Sequence, residues 1–120
     1  MPNWSPNWEN VRWDWGAADA AMAALRRVAD RLDATANENV RIAGPAQAEW
    51  RGARRLRFDD DLASTVRKEH ALADECRRMA GRISDASSAA HREQDKRERD
   101  RRRWEEEKRE EERRERERNR

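Results

Sequence analysis

Residues 43–53, Ala-Gly-Pro-Ala-Gln-Ala-Glu-Trp-Arg-Gly-Ala, decide the fold of this 120-residue chain. Gly44 and Pro45 favour the end of a helix, because glycine adopts the left-handed cap conformation and proline has no N–H to donate. On both sides of this stretch, apolar residues recur at intervals of three and four, which is the spacing of one helical face. The pattern predicts two helices joined by a turn at about residues 44–53.

The first helix is predicted from about Ala17 to Ala43, and the second from Arg54 onward. Two amphipathic helices joined by a short turn fold back as an antiparallel hairpin, here predicted over residues 17–91. Cys76 is the single cysteine and is interpreted as a small core residue, with a reactive thiol as the alternative. The predicted core and dimer-forming residues are Leu25, Val28, Leu32, Leu62, Val66, Cys76 and Ile83.

The composition is poor in material for a core. Only 35% of the residues are hydrophobic, 20 of the 120 residues are alanine, and 45% are charged. Burial of apolar surface contributes about 25 cal/mol per Å², whereas ordering a residue costs about 1 to 2 kcal/mol. Two alanine-rich stripes that face only each other bury too little apolar surface to offset this ordering cost. We therefore expect an all-α fold in which the hairpin forms a four-helix bundle on dimerisation.

The two ends of the chain differ from the hairpin. Residues 1–16 form a tryptophan-rich N-terminal arm in which Pro2-Asn3-Trp4 is repeated as Pro6-Asn7-Trp8. This arm is expected to pack on the protein or, alternatively, to bind a partner. Residues 92–120 form a tail with 14 basic and 12 acidic residues, predicted to extend helix two as a charged single helix that is either a recognition rod or a solubilising segment. Its predicted i,i+4 ion pairs are Glu93/Arg97, Glu98/Arg102, Glu105/Arg109, Glu110/Arg114 and Glu112/Arg116.

No pattern of residues indicates catalysis or a cofactor. His70 and His91 are 21 residues apart, without the partners that a metal site needs, and no glycine-rich phosphate loop is present. Consecutive aspartates at 59–61 point about 100° apart on a helix and cannot converge on one cation. The chain is therefore interpreted as non-enzymatic, with no cofactor, no metal and no small-molecule substrate.

The sequence also argues against nucleic-acid binding, a membrane span and a cleavable signal peptide. Arg101-Arg102-Arg103 followed by Trp104 suits phosphate contact and base stacking, but the interleaved carboxylates cancel most of the field at a phosphate, which argues against nucleic acid. No run of 18 apolar residues indicates a membrane span. The N-terminus also lacks the basic region of a cleavable signal peptide, so any export is expected to be leaderless.

The tripeptide Trp50-Arg51-Gly52 lies in the connection between the two predicted helices. Over residues 13–95 the chain therefore resembles the WXG-motif family of type VII secretion substrates, the early secretory antigenic target family. The excess of Arg (25) over Lys (3) is typical of the GC-rich coding of actinobacteria, one of the groups that carry this family. The resemblance implies a hairpin homodimer, or a heterodimer with another WXG-like protein. It also implies recognition by a membrane-embedded secretion ATPase, and export from the cytoplasm to the cell surface or the medium.

Members of this family also carry a Tyr-x-x-x-Asp/Glu signal just after helix two, beside the Trp-x-Gly turn of the partner. The nearest match here is His91-Arg92-Glu93-Gln94-Asp95, in which histidine stands where the family has tyrosine. The residues that the resemblance assigns to recognition are therefore Trp50 and Gly52 for the turn half, and His91 and Asp95 for the second half.

Two alternatives remain open at the level of sequence. One is a cytosolic adaptor or chaperone that binds a larger secreted effector through the arm and the tail and stays in the cytoplasm. The other is a structural coiled-coil protein whose charged tail drives assembly.

Overall fold

The computed structural model describes all 120 residues and contains two α-helices and no strand. Helix α1 spans Trp15–Glu49 and helix α2 spans Ala53–Arg118. The chain divides into two compact units: a hairpin unit, Trp15–Ser84, and a second unit formed by Met1–Asp14 with Asp85–Arg120. The prediction of an all-helical chain with two helices packed against each other is confirmed.

Helix α1 ends later than predicted. It continues through Gly44 and Pro45 to Glu49, so the expectation that it stops at Gly44-Pro45 is wrong, and the connection is 50–52 rather than about 44–53. Pro45 removes only its own bond to the carbonyl of Arg41, and both residues are exposed, so water can solvate that carbonyl. The residues that follow Pro45 are Ala46-Gln47-Ala48-Glu49, all strong helix formers that resume the helix.

The turn itself is made by Trp50-Arg51-Gly52. Gly52 has a φ of 95°, in the left-handed region, and its carbonyl accepts a hydrogen bond from the N–H of Leu56 at 3.2 Å. Arg55 closes the end of α1 by donating to the carbonyls of Gln47 and of Trp50, the latter at 2.9 Å. Asp59 holds this guanidinium at 3.0 Å. A side chain from α2 thus satisfies carbonyls that the end of α1 leaves without partners.

The core of the hairpin unit consists of small side chains. On α1 the buried residues Ala29, Ala36 and Ala43 recur every seven residues, and on α2 Ala73 and Ala80 do the same. Ala29, Ala73 and Cys76 form one buried cluster, and Leu25 and Leu32 pack against it. No large side chain is fully buried. Among the other predicted core residues, Leu62, Val66 and Ile83 are half-buried and Val28 is exposed.

Two glycines provide a matched test of the turn. Gly52→Ala places a Cβ at a left-handed φ and is expected to destabilise the protein by about 1 to 2 kcal/mol. Gly44→Ala lies within α1 and is expected to stabilise it by about 0.5 to 1 kcal/mol. In neither case does a neighbouring atom lie within 4 Å of the added Cβ, so backbone conformation alone separates the two variants. Urea unfolding followed by circular dichroism measures both, and equal shifts of the same sign would contradict this assignment of the turn.

Candidate functional site

One edge of the hairpin unit is charged. Nδ1 of His70 lies 2.6 Å from Oδ1 of Asp33, and Arg77 donates to Asp33 at 2.5 Å and to Asp30 at 3.1 Å. The hydrogen bond with His70, followed by that with Arg77, lowers the pKa of Asp33 below its ordinary value. His70 therefore pairs with a carboxylate of the opposite helix.

The opposite edge of the hairpin unit is apolar. In an antiparallel pair of helices, the residue directly before each core alanine lies on one side of the core. The residue four places after each core alanine lies on the other side. Asp33 follows Ala29 by four, as Arg77 follows Ala73, and these residues form the charged edge. Four of the five residues that precede these core alanines are aliphatic or methionine and constitute the apolar edge: Val28, Ile42, Leu72 and Met79. The fifth is Thr35, which precedes Ala36 and is exposed.

The side chains of the apolar edge are exposed to solvent. Val28 is 47% exposed, Leu72 53% and Met79 43%. The cross-helix bonds Asp30–Arg77 and Asn39–Glu69 fix the register between α1 and α2, and at this register Val28 lies at the level of Met79. The apolar edge is therefore contributed by both helices. The charged edge carries two exposed aliphatic residues of its own, Val40 and Leu56.

At the turn, Trp50 presents a half-exposed indole. Its side chain is 40% exposed and its ring centroid lies 5.5 Å from that of Phe58, with the two planes tilted by 49°. The N–H of Trp50 donates to the carbonyl of Ala46 at 3.0 Å, so the backbone below the indole is fixed. Trp50 and Gly52 thus adjoin each other in the turn of the hairpin unit.

The other two residues assigned to recognition lie in the second unit. Nε2 of His91 is 3.7 Å from a carboxylate oxygen of Asp95, one helical turn further along α2. The side chain of His91 is 70% exposed and that of Asp95 is 46% exposed. This pair forms a polar patch on α2, separate in the chain from the turn.

In the second unit, the N-terminal arm (residues 1–14 in the structure) lies along α2. Trp13 donates through Nε1 to Ser87 at 2.9 Å, and the N–H of Val11 donates to Gln94 at 2.8 Å. Farther along, the amino group of Met1 lies 2.6 Å from Glu111. The arm therefore runs antiparallel to the helix, with about two helical residues for each arm residue. This ratio is expected when an extended strand rising about 3.1 Å per residue lies beside a helix rising about 1.5 Å.

Tryptophan side chains of the arm meet the charged tail. Nε1 of Trp4 donates to Glu107 at 2.6 Å, and Nε1 of Trp104 donates to the carbonyl of Trp4 at 2.9 Å. The guanidinium of Arg103 lies 4.3 Å from the centre of the Trp4 ring, a cation–π contact. Trp8 meets Trp104 edge to face at 5.4 Å and remains 51% exposed. The indole of Trp104 is thus occupied by the arm of its own chain.

Arg101 binds the backbone of the arm. It donates to the carbonyl of Asn7 at 2.9 Å, to that of Glu9 at 2.7 Å and to the side chain of Asn10 at 3.0 Å. The sequence analysis noted Arg101 only as part of a basic run and Gln94 only as part of residues 91–95, and it missed Glu107. Position identifies Gln94 and Arg101, because residues 87, 94 and 101 continue the seven-residue spacing of Ala73 and Ala80, whereas Glu107 lies outside that spacing.

The tail also carries ion pairs along α2. The predicted pairs Glu93/Arg97 and Glu110/Arg114 form at 3.1 and 3.2 Å, and Arg103/Glu107 and Arg113/Glu117 add two more at 3.5 Å. The other predicted pairs are not among the ion pairs of the structure. Each exposed pair contributes only a few tenths of a kcal/mol, so the tail helix depends on many weak local interactions together with the arm.

No group of three or more His, Cys, Asp or Glu side chains is placed to hold a metal ion. Neither helix contains a stretch that is long and apolar enough to cross a membrane. In comparisons with known proteins, the chain matches no protein-family model, no curated protein and no solved structure.

The charged edge predicts an acid-sensitive contribution to stability. Because Asp33 has a lower pKa in the folded chain than the unfolded value of about 3.9, its stabilising effect is fully present above about pH 4 and is lost as the pH falls through the folded value. We expect Asp33→Asn to have a shallower fall in unfolding free energy than the wild type between about pH 5 and pH 2. Asp19→Asn, at an exposed aspartate outside the network, is the control. Urea titrations at each pH measure this, and an unchanged slope in Asp33→Asn would contradict it.

Proposed function

We propose that the chain is a non-enzymatic helical-hairpin protein that pairs through its apolar edge with a second hairpin. In this proposal it is a substrate, or a co-secreted partner, of a type VII secretion system. The observation that carries the pairing is the contrast within the hairpin unit, where the buried cluster contains only alanine and cysteine with partly buried leucine against it, while four larger apolar side chains lie exposed on the apolar edge and two on the charged edge. Covering the apolar edge with another hairpin removes apolar surface from water, and each Å² removed stabilises the complex by about 25 cal/mol.

The second hairpin is either another copy of this chain or a WXG-like protein. In either case the charged edge suits an outer position, because Asp33, His70 and Arg77 satisfy one another and gain nothing from burial. The apolar edge suits the interior of the paired hairpins, since Val28 of α1 and Met79 of α2 lie at one level and form a narrow apolar strip. Packing such strips against each other is the arrangement of a four-helix bundle.

The turn supports the secretion part of the proposal. Trp50 and Gly52 occupy the only connection between two long antiparallel helices, the indole is half-exposed, and the backbone beneath it is held by Arg55. A fixed, half-exposed indole suits docking by a recognition surface, because aromatic side chains contribute large contact areas at low conformational cost. His91 and Asp95 are proposed as the second half, with an imidazole in place of a phenol.

A cytosolic adaptor is the alternative, and the histidine at position 91 is the observation that favours it. An adaptor of this kind retains the hairpin and the turn, pairs with a larger effector and remains in the cytoplasm. Fractionation of the native host distinguishes the two roles, since the substrate appears in the medium or at the cell surface and the adaptor does not.

Charge placed on the apolar edge tests the pairing. We expect Leu72→Glu combined with Met79→Glu to weaken association at least about tenfold, because two carboxylates would lose hydration in an apolar contact. Ala63→Glu on the charged edge is the matched control, since it adds a carboxylate to an exposed position of the same helix. Light scattering during size-exclusion chromatography over a concentration series measures the association. Equal masses for the double variant and the control would contradict the proposed interface.

A substitution in the turn tests the secretion role. Trp50→Ala removes the exposed indole without disturbing the apolar edge, so the variant is expected to keep its helicity and association while its export from the native host falls at least about tenfold. Phe58→Ala is the control for a general loosening of the turn, because it removes the ring that packs on Trp50 but leaves the indole in place. Undiminished export of a folded Trp50→Ala variant would overturn the proposal.

A further inference from the structure

The stripe of α2 beneath the arm forms a surface that we call the tail groove, comprising Gln94, Arg101, Arg103, Trp104 and Glu107. We propose that the tail groove is a binding site for extended segments bearing the Pro-Asn-Trp repeat, and that it takes the arm of a second copy of this chain as well as its own. The occupant seated on it in the structure shows the chemistry that the groove selects.

The first element of this chemistry is recognition of the main chain. Arg101 donates to the carbonyls of Asn7 and Glu9, and the indole N–H of Trp104 donates to the carbonyl of Trp4. Gln94 accepts from the N–H of Val11. Recognition of this kind requires an extended backbone but no covalent link between that backbone and the helix.

The second element is recognition of indole rings. The Trp4 ring is held by an acceptor, Glu107, and by a cation on its face, Arg103. A phenylalanine offers no N–H to Glu107, and a small side chain leaves Arg103 without a ring. The groove therefore selects tryptophan at this position of the bound segment.

The third element is the repeat itself. Proline at positions 2 and 6 restricts the unbound arm to extended conformations, and Pro6 becomes buried in the docked state. A segment that is already extended loses less conformational entropy on binding, which favours binding of a free strand. These features belong to the arm alone, so an arm from another molecule carries them equally.

At low protein concentration the chain's own arm holds the groove, because its tether gives it a high effective concentration. When two hairpins pair, the arm of the second copy is tethered within the same complex, and exchange of arms conserves every contact. This step rests on the pairing proposed above, whereas the selectivity of the groove does not.

A peptide of residues 1–14 carrying fluorescein at its C-terminus tests the groove by fluorescence anisotropy. The recipient is the full chain with Trp4→Ala and Trp8→Ala, in which the resident arm is weakened. We expect this variant to bind the peptide at least about tenfold more tightly than the wild type, whose own arm competes. Adding Arg101→Gln to the recipient is expected to weaken binding at least about tenfold, whereas Arg102→Gln, at an exposed neighbour that makes none of these contacts, changes it less than about twofold.

Trp104→Phe in the same recipient removes one N–H donor while keeping an aromatic ring. This change is expected to weaken binding of the peptide several-fold, with helicity unchanged by circular dichroism. Absence of peptide binding to the arm-weakened chain, or equal effects of Arg101→Gln and Arg102→Gln, would overturn the proposal. These results are independent of the mass of the protein in solution. A failure of hairpin pairing is therefore distinguishable from a failure of the groove.

Discussion

Alanine at seven-residue intervals on both helices determines how closely α1 and α2 approach, and the rest of the hairpin unit depends on that contact. Small side chains at Ala29, Ala36 and Ala73 bring the two backbones together but remove little apolar surface from water. Leu25 and Leu32 pack against this contact and stay partly buried, and other large side chains such as Leu72 lie exposed beside it. The ion-paired groups Asp33, His70 and Arg77 lie on one side and most of the exposed aliphatic groups on the other, which gives the hairpin two chemically different edges.

The stripe of α2 that begins with these alanines changes its chemistry near Ser87. In the hairpin unit the stripe is small and apolar and is covered by a helix. In the second unit it carries Gln94, Arg101 and Trp104, and is covered by an extended strand. Long polar side chains suit such a strand because its carbonyl and N–H groups have no partners of their own. Ser87 stands at the change, where its hydroxyl accepts from the indole of Trp13.

The hairpin followed from the sequence because its signal is local and periodic. The three-and-four spacing of apolar residues identifies both helices and places Cys76 on a helical face, where the structure has it buried with Ala29 and Ala73. The end of α1 did not follow, because the tendency of Gly44-Pro45 to stop a helix was outweighed by strong helix formers after it and by the capping contacts of Arg55. Gly52 rather than Gly44 adopts the left-handed conformation, and only the turn geometry reveals which glycine does so.

The contact between the arm and the tail could not be predicted from the sequence, since an extended strand has no internal hydrogen bonds and little periodicity. Its partners lie about 100 residues away in the chain, as in the bond between Trp4 and Glu107. Four tryptophans within 16 residues indicated that the arm needs a surface to cover, but not which one. The seven-residue spacing of Ser87, Gln94 and Arg101 marks that surface, although these residues are polar and appear solvated by composition alone.

In the proposed pairing, a hairpin with so small a core is completed by a second hairpin on its apolar edge. Sedimentation equilibrium of the full chain over a wide concentration range, with helicity measured on the same samples, tests this most directly. The account predicts a mass near twice 14.3 kDa at high concentration, and a joint fall of mass and helicity on dilution. A mass of 14.3 kDa with full helicity at every concentration would contradict it.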